Sequence, residues 1–170
     1  MMVGCVRFSI IILSCLLFTG AFANKPKPII RKIEWNEIER ASSSLVDKLK
    51  NKSWKGILIV ARGGLAPAHL LAQKLNIRKI ETICIESYED KKQTPFPKIL
   101  KLPKLKNEGE GWIVVDDISD TGRTFKIIRE YFPKAYYVSF YTKPKGQHIV
   151  DIAYEKVDQN VWVQFPWEVD

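Results

Sequence analysis

The stretch Val114-Val115-Asp116-Asp117-Ile118-Ser119-Asp120-Thr121-Gly122-Arg123-Thr124 carries more information than any other part of this 170-residue chain. Its first half continues an apolar run that begins at Trp112, the pattern of a strand covered on both faces. Two adjacent carboxylates, Asp116 and Asp117, stand at the carboxyl end of that strand, where open α/β sheets bind their ligands. Asp120 follows at the turn, and a helix is predicted from about Thr121 to Tyr131. Backbone N–H groups at a helix start lack intrahelical acceptors, and the helix dipole favours an anion there. Gly122 permits close approach of the backbone, and the hydroxyls of Thr121 and Thr124 can donate to phosphate oxygens. The stretch thus joins a phosphate cradle to carboxylates suited to sugar hydroxyls and Mg²⁺. A lone Asp-Asp or Thr-Gly would read as solvated charge or a helix cap. The whole array, on an apolar strand and before a helix, does not.

Outward from this segment, helical and extended patterns alternate. Residues 36–50 place Ile38, Ala41, Leu45, Val46 and Leu49 on one helical face. Ile57-Leu58-Ile59-Val60-Ala61 reads as a buried strand, Arg62-Gly63-Gly64 breaks it, and Pro67 can open a helix running to about Leu75. Lys79 to Glu86 reads as the next strand. Residues 87–110, interrupted by Pro95, Pro97 and Pro103, read as a long polar loop with at most a short strand near its end. Ala135 to Tyr141 closes the series as a strand. Strands alternating with helices predict an α/β fold with a mainly parallel sheet.

Composition sets the outer limits. A chain of this length suits one domain, and 46% hydrophobic residues suffice for an ordinary core. The formal charge of +8 fits a phosphate-rich small molecule, an anionic membrane surface or nucleic acid, and equally a solvated lysine-rich face. Of three cysteines, only Cys84 lies outside the N-terminal segment, so a disulfide framework and a four-cysteine zinc site are excluded from the folded body. Cys84 itself, between Ile83 and Ile85, reads as a small core residue. His69 and His148 are isolated, and neither a Walker A loop nor a Gly-x-Gly-x-x-Gly turn is present. Residues 1–23 read as a hydrophobic leader, with Arg7, the apolar run Phe8 to Phe18 and a small-x-small Ala21-Phe22-Ala23. A cleaved signal, an uncleaved anchor and an upstream extension from a misplaced start codon all fit it. Residues 24–170 form the expected domain.

The Val114–Thr124 segment resembles the phosphoribosyl pyrophosphate motif of the type I phosphoribosyltransferases, and the bacterial xanthine-guanine enzymes among them match further. Trp54-Lys55-Gly56, Arg62-Gly63-Gly64-Leu65, Ser87-Tyr88, Gly109-Glu110-Gly111, Lys143-Pro144, Trp162 and Pro166-Trp167 all stand in the family's order. Arg123 stands where the xanthine-guanine enzymes carry glycine. The resemblance implies a central, mainly parallel sheet flanked by helices, a small C-terminal hood, and transfer of phosphoribose to guanine, xanthine or hypoxanthine. It implies that Arg62, Gly63, Lys98, Asp116, Asp117, Asp120, Thr121, Gly122, Arg123 and Thr124 bind phosphoribosyl pyrophosphate. Asp117 would contact Mg²⁺, and Asp120 would be the general base at purine N7. Lys143, Trp162 and Val163 would hold the purine. The Arg62–Gly63 bond would be a cis peptide, and the loop around 87–98 a mobile lid. A homo-oligomer, dimer or tetramer, is expected, with no nucleic-acid partner. The expected location is cytoplasmic, with a peripheral place at the inner membrane face and an exported form left open by the leader. A regulatory or non-catalytic protein that binds phosphoribosyl pyrophosphate on the same fold is the alternative.

Overall fold

The computed structural model describes residues 29–89 and 92–168, so the leader expected at 1–23 lies outside the described residues. The elements run β1 (Ile29–Lys32), α1 (Trp35–Leu49), β2 (Gly56–Ala61), α2 (Leu65–Lys74), β3 (Ile80–Glu89), β4 (Lys92–Lys101), β5 (Trp112–Ser119), α3 (Arg123–Tyr131), β6 (Tyr136–Thr142), β7 (Ile152–Lys156) and β8 (Val161–Gln164). Six strands form one sheet in the order β4-β3-β2-β5-β6-β7, while β1 and β8 form a separate parallel pair. All neighbours in the large sheet are parallel except the β3–β4 hairpin. No helix among the described residues is long and apolar enough to cross a membrane.

Period-two alternation divides the core in two. Ile57, Ile59, Ile113 and Val115 face the side that packs against Ile38, Ala41, Leu45 and Leu49 of α1 and Ala68 and Leu71 of α2. Leu58, Val60, Trp112 and Val114 face the other side, covered by Phe125 and Ile128 of α3. Each fully buried side chain of this size contributes about 1.5–3 kcal/mol through burial. With both faces covered, β2 and β5 have no polar face, which is why their sequences are nearly continuous apolar runs.

Several expectations need correction. The stretch 87–110 is not mainly loop: β3 extends to Glu89 and returns as β4 as far as Lys101. Proline punctuation concealed β4, but Pro95 and Pro97 lie on the edge strand of the sheet, where a missing ladder donor can be tolerated. The series does not close at β6, since β7 adds another parallel strand and the chain ends with β8. The hood is therefore not purely C-terminal; its β8 is paired residue by residue with β1, with Arg31 opposite Val163. α3 starts at Arg123, after a left-handed Gly122 (φ 77°), which leaves Thr121 outside the helix. The cis peptide is Ala61–Arg62, one bond before the expected position.

Arg31 fastens the hood to the sheet. Its guanidinium makes a bidentate contact with Glu155 of β7 and donates to Glu37 of α1 at 2.6 Å. Tyr141 of β6 donates its hydroxyl to the same Glu37 carboxylate at 2.7 Å. The planar fork of arginine suits such a bidentate clamp, and it joins the neighbouring β1 and α1 to β7, 124 positions further along the chain.

Candidate active site

Strand order reverses between β2 and β5: the chain proceeds from β2 to the β3–β4 side and from β5 to the β6–β7 side. The crevice at the carboxyl ends of such neighbours is where open α/β sheets take their ligands. Arg62-Gly63-Gly64 leaves β2 at that point, and Ser119-Asp120-Thr121-Gly122 leaves β5 beside it.

Two of these turns touch through small residues. A Cβ on Gly63 would fall 2.5 Å from Asp117 Oδ2, so the Asp117 carboxylate lies directly on the β2 loop. A Cβ on Gly64 would fall 2.3 Å from the Val115 carbonyl oxygen, so the same loop is pressed onto β5. Arg62 itself is exposed at the rim. Gly122 is equally confined, since its Cβ would meet Ile149 at 2.9 Å. The segment after β6 closes over this side: Ser119 donates its hydroxyl to the Gly146 carbonyl at 3.0 Å, and Lys143 N–H donates to the Ser119 carbonyl at 3.0 Å.

Adjacent strand positions point to opposite faces, so Asp116 and Asp117 do not present one joint surface. Asp117 is buried; burial pushes its carboxyl up to about 6, against the opposing pull of a hydrogen bond from Ile118 N–H. The nearby Glu168 charge raises it further. Burial also holds Asp116 well above the usual carboxylate range, with the Asp117 charge adding to the effect. Among the described residues no lysine or arginine forms an ion pair with either. Buried acidic oxygens in this state are suited to a hard cation.

Asp120 has the opposite surroundings. One carboxylate oxygen accepts from Lys143 Nζ at 2.9 Å and the other from Gln159 Nε2 at 2.7 Å. The lysine side chain is only 6% exposed, so its charge is compensated almost entirely by this one carboxylate. β5 and β6 produce the pairing directly, because Ser119 is in register with Thr142 and the next residue of each strand is Asp120 or Lys143. Val163 is buried in the hood, while the ring of Trp162 beside it is nearly half exposed.

The expected residues are thus largely brought together. Thr121, Gly122, Arg123 and Thr124 form the turn and first helical residues after β5, where the α3 dipole favours an anion. Lys98 is the outlier: it lies exposed on β4 opposite Glu86, and no described contact joins it to the rest. Sequence reasoning missed Gln159 and Glu168. Nothing in their local sequence marks them, since each reaches the site only through the return of the chain after β7.

The model of the phosphoribosyl transferase domain matches residues 30–170. The chain belongs to that family. A xanthine-guanine phosphoribosyltransferase from Nitratidesulfovibrio vulgaris strain Hildenborough is 41% identical over 137 residues, covering 80% of this chain and 83% of the relative. One from Chromohalobacter salexigens is 39% identical over 137 residues, covering 81% and 83%. Among solved structures, the purine phosphoribosyltransferase of Pyrococcus horikoshii superposes with a TM-score of 0.67 at 29% identity, covering 83% of this chain and 95% of that one. Phosphoribosyltransferases generally use Mg²⁺ with phosphoribosyl pyrophosphate.

Proposed function

We propose that this phosphoribosyltransferase acts in purine salvage, joining guanine, xanthine or hypoxanthine to phosphoribosyl pyrophosphate and releasing the nucleoside 5′-monophosphate and pyrophosphate. The observation that carries the reading is the buried Lys143 paired with Asp120 at 2.9 Å, one turn before the anion-favouring start of α3. A base acceptor and an oxygen-directed donor are held side by side next to a phosphate site.

In the reaction, purine N9 forms a bond to ribose C1, the C1–oxygen bond breaks, and pyrophosphate leaves with the electron pair. Positive charge that builds on the ribose is matched by the carboxylates of Asp116 and Asp117. The Thr121–Thr124 turn holds the 5′-phosphate, and Arg62 faces the departing pyrophosphate. Asp120 accepts the proton from N7 as N9 is alkylated. Lys143 donates to the oxygen at purine position 6, which adenine lacks. Trp162 stacks on the purine, and the Val163 backbone binds its edge. In this reading the β3–β4 hairpin, with Lys98, would act as the lid that excludes water.

The donor set fits Mg²⁺. Among the described residues no three carboxylate, histidine or cysteine side chains cluster, so a protein-only cage is absent, whereas Mg²⁺ takes one or two carboxylates and completes its shell with water and substrate phosphates. Asp117 would hold it, with Asp116 as neighbour, and when bound it would neutralise the leaving pyrophosphate. The proposal also takes the enzyme to be a homo-oligomer working in the cytoplasm, where its activated sugar is made.

The test is turnover by the full chain with phosphoribosyl pyrophosphate, Mg²⁺ and each of guanine, xanthine, hypoxanthine and adenine. Nucleotide from an oxopurine and none from adenine is the expected result. Binding of phosphoribosyl pyrophosphate without product from any base would overturn catalysis in favour of a binding protein on this fold.

A further inference from the structure

Gln159 sits in the half-exposed turn that connects β7 to β8, and no part of the reaction described above uses it. Its side chain is held at both ends. Oε1 accepts from Lys145 N–H at 3.1 Å, and Nε2 donates to Asp120 Oδ1 at 2.7 Å. The backbone N–H of Lys145 can only donate, so the amide is oriented with its carbonyl toward Lys145 and its nitrogen toward Asp120. Lys143 donates to the other oxygen of the same carboxylate.

We infer that Gln159 is a positioning residue for Asp120, fixing the orientation in which the carboxylate is presented to the purine. A donor on each oxygen fixes the plane of the carboxylate, and each oxygen keeps a second lone pair with which to accept from a purine. A purine N–H is the group that complements the remaining lone pair. A base protonated at N7 meets the positioned carboxylate and keeps a lone pair on N9 for the attack. It also ties the hood to the chemistry: Val161 N–H donates to Asp158 at 3.1 Å, so the turn carrying Gln159 leads directly into Trp162 and Val163.

This rests on the proposed reaction, and two substitutions separate it from a structural role. Gln159→Glu has the same shape and retains the acceptor for Lys145 N–H, but presents a carboxylate to Asp120 in place of a donor. Gln159→Leu removes both hydrogen bonds without adding charge. Steady-state kinetics on the full chain with Mg²⁺, phosphoribosyl pyrophosphate and the preferred oxopurine should show kcat lowered about 10–100-fold in both variants, the range supported by one hydrogen bond to a charged group. The KM for phosphoribosyl pyrophosphate should stay within about two-fold of the parent, because the phosphate cradle is untouched. Parental kcat in Gln159→Glu would assign the residue to turn structure alone, and parental kcat in Gln159→Leu would show that the donor is not needed. Either result overturns the inference. An inactive parent would instead remove the proposed reaction, so the two failures are distinguishable.

Discussion

Asp117 and Asp120 are the same residue type three positions apart, yet the fold treats them in opposite ways. Asp117 is buried against the Gly63 loop with its carboxyl pushed up to about 6 and no described cationic partner. Asp120 is held by an ammonium on one oxygen and an amide on the other. In the proposed reaction, one end of the site stays electrostatically incomplete until substrate and metal bind, and the other is compensated from within. That division suits a reaction in which a large anion departs at one side and a neutral base must be oriented at the other. In that reading positive charge comes with the substrate where it is needed transiently, and from Lys143 where orientation must persist.

Three substitutions can break or sharpen this contrast. The largest effect belongs to Asp120→Asn, which keeps the shape but removes the proton acceptor; kcat should fall about 10²–10⁴-fold. Calorimetric affinity for phosphoribosyl pyrophosphate should change little, and equal activity of variant and parent would remove Asp120 from the mechanism.

Asp117→Asn should act in two directions at once. The Mg²⁺-dependent kcat/KM for phosphoribosyl pyrophosphate should fall, while the ligand-free protein becomes more stable at neutral pH. The sign follows from linkage: a carboxyl raised from 3.8 to about 6 holds its proton more tightly folded than unfolded. Its contribution is unfavourable above the folded value, and stability therefore falls as pH rises through that interval. The neutral amide removes this loss, a gain of about 1–3 kcal/mol at pH 7 that vanishes near pH 4. Thermal unfolding of both proteins across that range without Mg²⁺ measures it, and a destabilised variant at pH 7 would contradict the picture.

The smallest effect is expected in selectivity. Lys143→Ala takes one donor from Asp120 and the position-6 contact from the purine, so the ratio of kcat/KM for oxopurine over adenine should drop about 10-fold or more. Competition assays with both bases report it, and an unchanged ratio would leave Lys143 as a structural partner of Asp120 only.

Much of this arrangement is legible along the chain because its determinants are local. The apolar runs at Ile57–Ala61 and Trp112–Val115 identify strands covered on both faces, and Asp116, Asp117, Asp120 and the Thr121–Thr124 turn follow one of them directly. β4 was hidden because Pro95 and Pro97 read as breakers, and only the pairing with β3 shows that they lie on an edge. The hood was half seen, since pairing of β1 with β8 joins residues more than a hundred positions apart.

The sequence alone determined the α/β class, the anion-favouring turn after β5 and the identity of the acidic residues, because strand burial, helix starts and glycine turns are governed by near neighbours. Only the tertiary structure decided what each carboxylate experiences. Asp117 rests on Gly63, Asp120 lies between Lys143 and Gln159, and Arg31 holds the hood through Glu155 and Glu37. Electrostatic environment is set by which groups share a small volume, and most of those groups arrive there from segments far apart along the chain.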